Sequence, residues 1–162
     1  MIDREATTHD RVELDARTTG PIITGAGQSM LFTMLGATGL ILSGFLEWIR
    51  PDGVRGIEIG YRAFYRTQFS ANAAFFRSAG AVAIAIGLLA VLGLASRSGW
   101  VTRLAGALGI IAFALFTITL YRMGMSVPTS LGAGPWFMLG GGLVAMFGGF
   151  FVTRPRMVVT NA

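Results

Sequence analysis

The chain has 162 residues, 53% hydrophobic and 13% charged, with 23 Gly and a mean hydropathy of +0.64, whereas soluble domains average about 25% charged residues and about 7% Gly. That balance weighs against a soluble domain, and the absence of Cys excludes disulfides, thiol redox chemistry, cysteine zinc sites and iron–sulfur clusters. The net charge of +5 is carried by Arg alone, and those Arg flank apolar segments instead of forming a basic patch, so nucleic acid is not an expected partner.

Residues 1–25 read as a flexible polar tail. They hold Asp3, Glu5, Asp10, Glu13 and Asp15 against three Arg, and they lack the basic start and early apolar core of a cleaved signal peptide. Beyond the tail, residues 18–46, 78–96, 104–121 and 123–153 contain no Asp, Glu, Lys or Arg. Four membrane spans fit these windows, at about 26–48, 78–95, 104–121 and 135–153, and the first is expected to act as an uncleaved signal anchor. Eighteen residues rise about 27 Å at about 1.5 Å each, which covers a hydrocarbon core of about 30 Å when Arg side chains snorkel at the ends. Gly132-Ala133-Gly134 supplies a turn before Pro135, a residue suited to the first helical position, and Arg154-Pro155-Arg156 stops the fourth span before a short tail at 157–162. The expected fold is an all-α, integral membrane four-helix bundle. Trp48, Trp100, Tyr121 and Trp136 fall at the ends of the spans, as an aromatic belt would place them.

Small residues recur at four-residue spacing: Ala79, Ala83 and Gly87 in the second span, Gly141, Ala145 and Gly149 in the fourth, Ala105 and Gly109 in the third, and Gly39 and Ser43 in the first. Lipid offers no hydrophobic drive for helix association, so close backbone approach has to supply it, and such stripes permit that approach. The second and fourth helices are therefore expected at the bundle core. Gly87-Leu-Leu-Ala-Val-Leu-Gly93 also echoes Gly142-Leu-Val-Ala-Met-Phe-Gly148. Either a parallel repeat of two helix hairpins or two unrelated Gly-, Ala- and Leu-rich helices produces that echo.

The loop at 49–77 carries most of the polar chemistry. Pro51-Asp52-Gly53 is a turn signal and Gly56-Ile-Glu-Ile-Gly-Tyr alternates like a strand. After it, Tyr61, Phe64, Tyr65, Phe69, Asn72 and Phe76 fall on one helical face, with Arg62, Arg66, Ser70, Ala73 and Arg77 on the other. That pattern predicts a basic amphipathic helix in the membrane interface, or an elongated second helix with a solvated basic face. As a docking site for a partner or for lipid, its residues are Tyr61, Arg62, Phe64, Tyr65, Arg66 and Phe69. Glu47 is expected to form an interfacial ion pair with Arg50 or Arg77. The loop between Ser96 and Arg103 carries two Arg while 124–135 is uncharged, which places both termini in the cytoplasm.

The only His is His9, in the tail, so no haem axial pair or HExxH zinc site can form; Gly-x-Ser-x-Gly is absent, and no mid-span position is ionisable. No catalytic residue, cofactor or metal ligand is expected. Trp48, Gly99-Trp100, Gly134-Pro135-Trp136, the long first loop and the Arg-only basic set together resemble the small four-helix membrane proteins of actinobacteria. The resemblance implies a bacterial inner membrane and an accessory role. The reading that follows is a non-enzymatic multi-pass protein, either an accessory or assembly subunit of a larger membrane complex or a homo-oligomer. Its partners are the lipid bilayer and either another protein or itself. The alternatives are a small transporter or channel along the Gly-rich helices, and a lipid-acting enzyme using Glu47, Arg50, Asp52 and Glu58.

Overall fold

A computed structural model describes residues 25–50, 52–67 and 73–151. The protein is mostly helical, and three of its helices are long and apolar enough to cross a membrane. In chain order the elements are α1 (Gly25–Phe45), strands β1 (Glu47–Ile49) and β2 (Val54–Arg55), 3-10 turns at Tyr61–Phe64 and Phe75–Arg77, α2 (Ala79–Ala95), α3 (Gly99–Arg122), the single turn α4 (Val127–Ser130) and α5 (Ala133–Phe150). Helices α1, α3 and α5 are the three long ones; α2, with 17 residues and no polar side chain, is shorter. The expected tails, the end of the fourth span at Thr153 and the Arg154-Pro155-Arg156 stop lie outside the described residues.

The four apolar helices form a closed ring in which each packs on its chain neighbours and α5 returns to α1. Helices α2 and α5 are diagonal partners, each wedged between α1 and α3 with its small-residue face buried. Small residues set the spacing. A Cβ on Gly36 would sit 2.5 Å from the Ala145 nitrogen, and one on Gly141 would sit 2.8 Å from both the Gly36 oxygen and the Leu40 nitrogen. Backbones in such contact gain dispersion energy that larger side chains would prevent. Between these contacts the interior is filled by Leu40, Ile86, Phe116 and Met138, all buried.

The sequence echo has a three-dimensional counterpart. A Cβ on Gly87 would meet the Ala37 oxygen and both the nitrogen and Cγ1 of Ile41, on α1; one on Gly142 would meet the Gly106 oxygen and the same two atoms of Ile110, on α3. At the other end of each run, Gly93 faces the nitrogen and Oγ1 of Thr102 on α3, while Gly148 faces those of Thr33 on α1. Every buried residue of α2 has a buried counterpart in α5, from Ala79 and Gly134 through to Gly93 and Gly148, with Gly149 the one addition. Hairpin α1–α2 is thus related to hairpin α3–α5 by a pseudo-two-fold axis along the bundle, the geometry of a parallel repeat.

Helix ends differ from the sequence expectation where tertiary contacts intervene. Helix α2 begins at Ala79 because Ser78 caps it, its Oγ accepting the Ala81 N–H at 3.0 Å. Helix α3 starts at Gly99, a full turn before the expected Leu104, and α5 starts at Ala133, so Pro135 occupies the third helical position. Proline is tolerated there because first-turn N–H groups have no intrahelical partner. At the opposite end of the bundle from the loops, Arg103 Nε donates to the Gly149 oxygen at 3.0 Å and its guanidinium lies 4.2 Å from the centre of the Phe150 ring. That contact satisfies a carbonyl at the end of α5.

Candidate functional site

The cap over one end of the bundle is built from the two loops that meet there. Helix α1 stops at Phe45, and β1 follows instead of the expected further turn to Trp48. Strand β1 pairs antiparallel with β2 through the Asp52–Gly53 turn, where Gly53 takes φ +64°, and a register shift falls at Trp48. Bulges re-aim side chains, and here Trp48 and Ile49 are buried in succession although a regular strand would alternate them. On its other side β1 binds the second loop: Arg50 N–H donates to the Ser130 oxygen and Gly132 N–H to the Trp48 oxygen, each at 2.9 Å. The expected strand at Gly56–Tyr61 is instead a turn whose backbone holds the start of α2, with Ala79 N–H on the Ile59 oxygen (2.7 Å) and Gly80 N–H on the Gly56 oxygen (2.8 Å).

Trp48 is fully buried, which corrects its place in an aromatic belt. Its indole N–H donates to the Ser43 oxygen at 2.7 Å, and its ring meets Phe116 and Phe64 edge-on at 4.8 and 5.9 Å. Trp100 and Trp136 are exposed at helix starts, and Tyr121 is exposed in the last turn of α3. The composition of all three is the same apolar ring with a polar edge; only the packing of the first loop separates Trp48 from the others.

The expected basic amphipathic helix does not form over the described part of 61–77, nor is α2 elongated into it. Two 3-10 turns stand there, Tyr61–Phe64 and Phe75–Arg77, and Ser78 ends the segment as the α2 cap. The physical reason is Phe64. It turns inward against Trp48 and Phe116, away from Tyr61 and Tyr65, which remain exposed with Arg62 and Arg66. Phe69, Ser70 and Asn72 lie outside the described residues.

What the rim presents is therefore Tyr61, Arg62, Tyr65, Arg66 and Thr67, joined by Arg122 from the last turn of α3. Tyr65, Arg66, Thr67 and Arg122 line an open cleft of about 330 Å³. The Phe64–Phe116 contact (6.4 Å, edge-on) ties the turn to α3, so that Arg66 and Arg122 line the same cleft. Sequence reading missed Thr67 and Arg122 here, because nothing in their spacing shows that the first loop folds back on the third helix. Arg62 hydrogen-bonds to the Tyr61 phenol and, with a further hydrogen bond to Tyr65 and the charges of Arg62 and Arg77, holds it below its ordinary value of 10.0. The rim is an electropositive surface with two phenols among its guanidinium groups.

The remaining expected sites are placed differently. No ion pair within 4.0 Å joins Glu47 to Arg50 or Arg77 among the described residues. In a helix, positions three apart are neighbours one turn on, but residues 47–49 are an extended strand, whose rise of about 3.3 Å per residue carries Arg50 further from Glu47. Glu58 is engaged within the hairpin, its carboxylate accepting the Arg55 N–H at 3.0 Å. Ala79, Ala83, Gly87, Gly141, Ala145 and Gly149 are all buried, and the glycines among them contact α1 or α3 of the same chain. Among the described residues, no group of three or more His, Cys, Asp or Glu is placed to hold a metal ion. Comparison with protein-family models, with curated proteins and with solved structures gives no match.

Proposed function

We propose that the chain is a non-enzymatic, four-span protein of a bacterial inner membrane that works by association, as an accessory or assembly subunit of a larger complex or as a homo-oligomer. One observation carries this reading. In the four apolar helices the only ionisable side chains are Arg103, Tyr121 and Arg122, all near helix ends, while the remaining ionisable groups of the described residues stand on the loops, chiefly the cap. Transport paths and intramembrane catalysis draw on ionisable groups at depth; association draws on a shaped, charged surface and a rigid frame beneath it. Helix α2 completes the fourth span because its 17 apolar residues rise about 26 Å and the preceding 3-10 turn with Arg77 and two exposed Phe reaches the interface. The small-residue stripes are engaged within the chain, which leaves the rim around Tyr61, Arg62, Tyr65 and Arg66 as the docking surface.

The test uses photocrosslinking in native membranes, with the probe at Tyr65 on the cap and at the exposed Phe147 on α5. A discrete protein adduct at Tyr65, to another chain or to a second copy, is the expected result. A monodisperse monomer that gives no protein adduct at either position refutes association. Topology is read separately, since the chain has no Cys: a cysteine at Ser126 is expected to be labelled from outside intact cells and one at Ser96 to be protected.

A further inference from the structure

We propose that the cleft bounded by Tyr65, Arg66, Thr67 and Arg122 binds a phosphate-type oxyanion, the group carried by the headgroup of an anionic phospholipid. The inference rests on the membrane-spanning reading and gives its docking rim a ligand. Arg66 of the first loop and Arg122 of α3, distant in the chain, line one cleft with Tyr65 and Thr67, residues whose hydroxyls are neutral donors. Arginine presents a planar fork of N–H groups that matches phosphate oxygens two at a time, and hydroxyls complete such a shell. Among the described residues no acidic side chain lines the cleft, and Glu58, a carboxylate of the same loop, accepts the Arg55 N–H. At about 330 Å³ the space is ample for one headgroup phosphate.

The depth of the cleft favours a lipid as the source. Arg122 ends α3, one of the helices long enough to cross a membrane, and its neighbour Tyr121 is 76% exposed, the placement of an interfacial anchor. A phosphate held beside Arg122 therefore lies where headgroups lie. An anion held by both Arg66 and Arg122 would also fasten the first loop to α3, beside the Phe64–Phe116 contact.

The experiment uses the full chain. Retention in the membrane pellet after an alkaline wash reports on the spanning reading by itself. Purified protein in neutral detergent is then titrated with a short-chain phosphatidylglycerol, a short-chain phosphatidylcholine and inorganic phosphate, and bound species are counted by native mass spectrometry. Phosphatidylglycerol is expected to bind at least tenfold more tightly than phosphatidylcholine. Arg66→Gln and Arg122→Gln are each expected to weaken it about tenfold, with Arg122→Lys retaining part of the affinity. Arg97→Asn, which removes an exposed charge at the far end of the bundle, serves as the control. If inorganic phosphate binds as tightly as the lipid, the oxyanion site stands and its source is soluble phosphate. If Arg97→Asn weakens binding as much as Arg66→Gln, or the Arg66→Gln/Arg122→Gln double variant binds like the parent, the site is overturned even when the pellet result upholds the spanning reading.

Discussion

Replacing Gly36 by Ala tests the proposition that backbone contact between α1 and α5 sets the bundle. The added Cβ would lie 2.5 Å from the Ala145 nitrogen, 2.7 Å from the Gly141 oxygen and 2.8 Å from the Ala145 Cα, all three of them backbone atoms that cannot rotate aside. Reaching ordinary contact needs the helices to part by about 0.9 Å, and a gap of that size forfeits about a quarter to a half of each dispersion well along the seam. Overpacking of this kind costs about 1–3 kcal/mol, and the absence of any flexible neighbour puts Gly36 at the upper end. Against it stands about 1 kcal/mol gained from Ala over Gly in a helix, leaving a net loss of about 2 kcal/mol. Gly140, on the same α5 helix, has nothing within 4 Å of its Cβ position, so Gly140→Ala keeps the propensity gain alone. The two variants should differ by about 3 kcal/mol, roughly a hundredfold in the folding equilibrium. Unfolding in mixed micelles with increasing dodecyl sulfate, followed by far-ultraviolet circular dichroism, measures the difference. Equal midpoints for Gly36→Ala and Gly140→Ala would refute the argument.

Single-tryptophan proteins in bilayers of brominated lipid should separate the three indoles: emission from Trp100 and Trp136 is quenched, while Trp48, closed in by Phe64 and Phe116, is spared, and strong quenching of Trp48 would contradict the cap as described. Thr33→Val should raise stability by about 1 kcal/mol in the same micelle titration, because the Thr33 hydroxyl is buried with no hydrogen-bond partner among the described residues and a methyl of the same shape carries no desolvation penalty; a loss of stability would refute this. Tyr61 should ionise below its ordinary value when absorbance is followed near 295 nm, and Arg62→Gln should move that ionisation upward. The folded state releases this proton first, so rising pH favours it through the window below 10.0, and the contribution is absent at lower pH, where both states keep the proton.

Much of the helical architecture is legible in one dimension because its causes are local. Uncharged windows mark the helices, since a charge in hydrocarbon is costly wherever the chain goes next, and Ser78 and the Asp52-Gly53 turn act through neighbours in sequence. Even the two-fold relation between hairpins leaves a trace, in the matched glycines of α2 and α5.

The cap was decided by tertiary structure. Tyr61, Phe64 and Tyr65 read as one helical face, yet Phe64 leaves that face because a pocket between Trp48 and Phe116 buries its ring, and burial of an aromatic outweighs the weak preference of a short segment for one more helical turn. Glu47 and Arg50 read as a pair three residues apart, but β1 is drawn into a strand by partners on both sides, β2 and the backbone of Ser130–Gly132. Arg122 enters no local pattern with Arg66 at all. Local composition marks which segments avoid water; which polar groups come to line one cleft depends on the folding of two loops over one end of the helices, a contact between residues far apart in the chain that no local periodicity encodes.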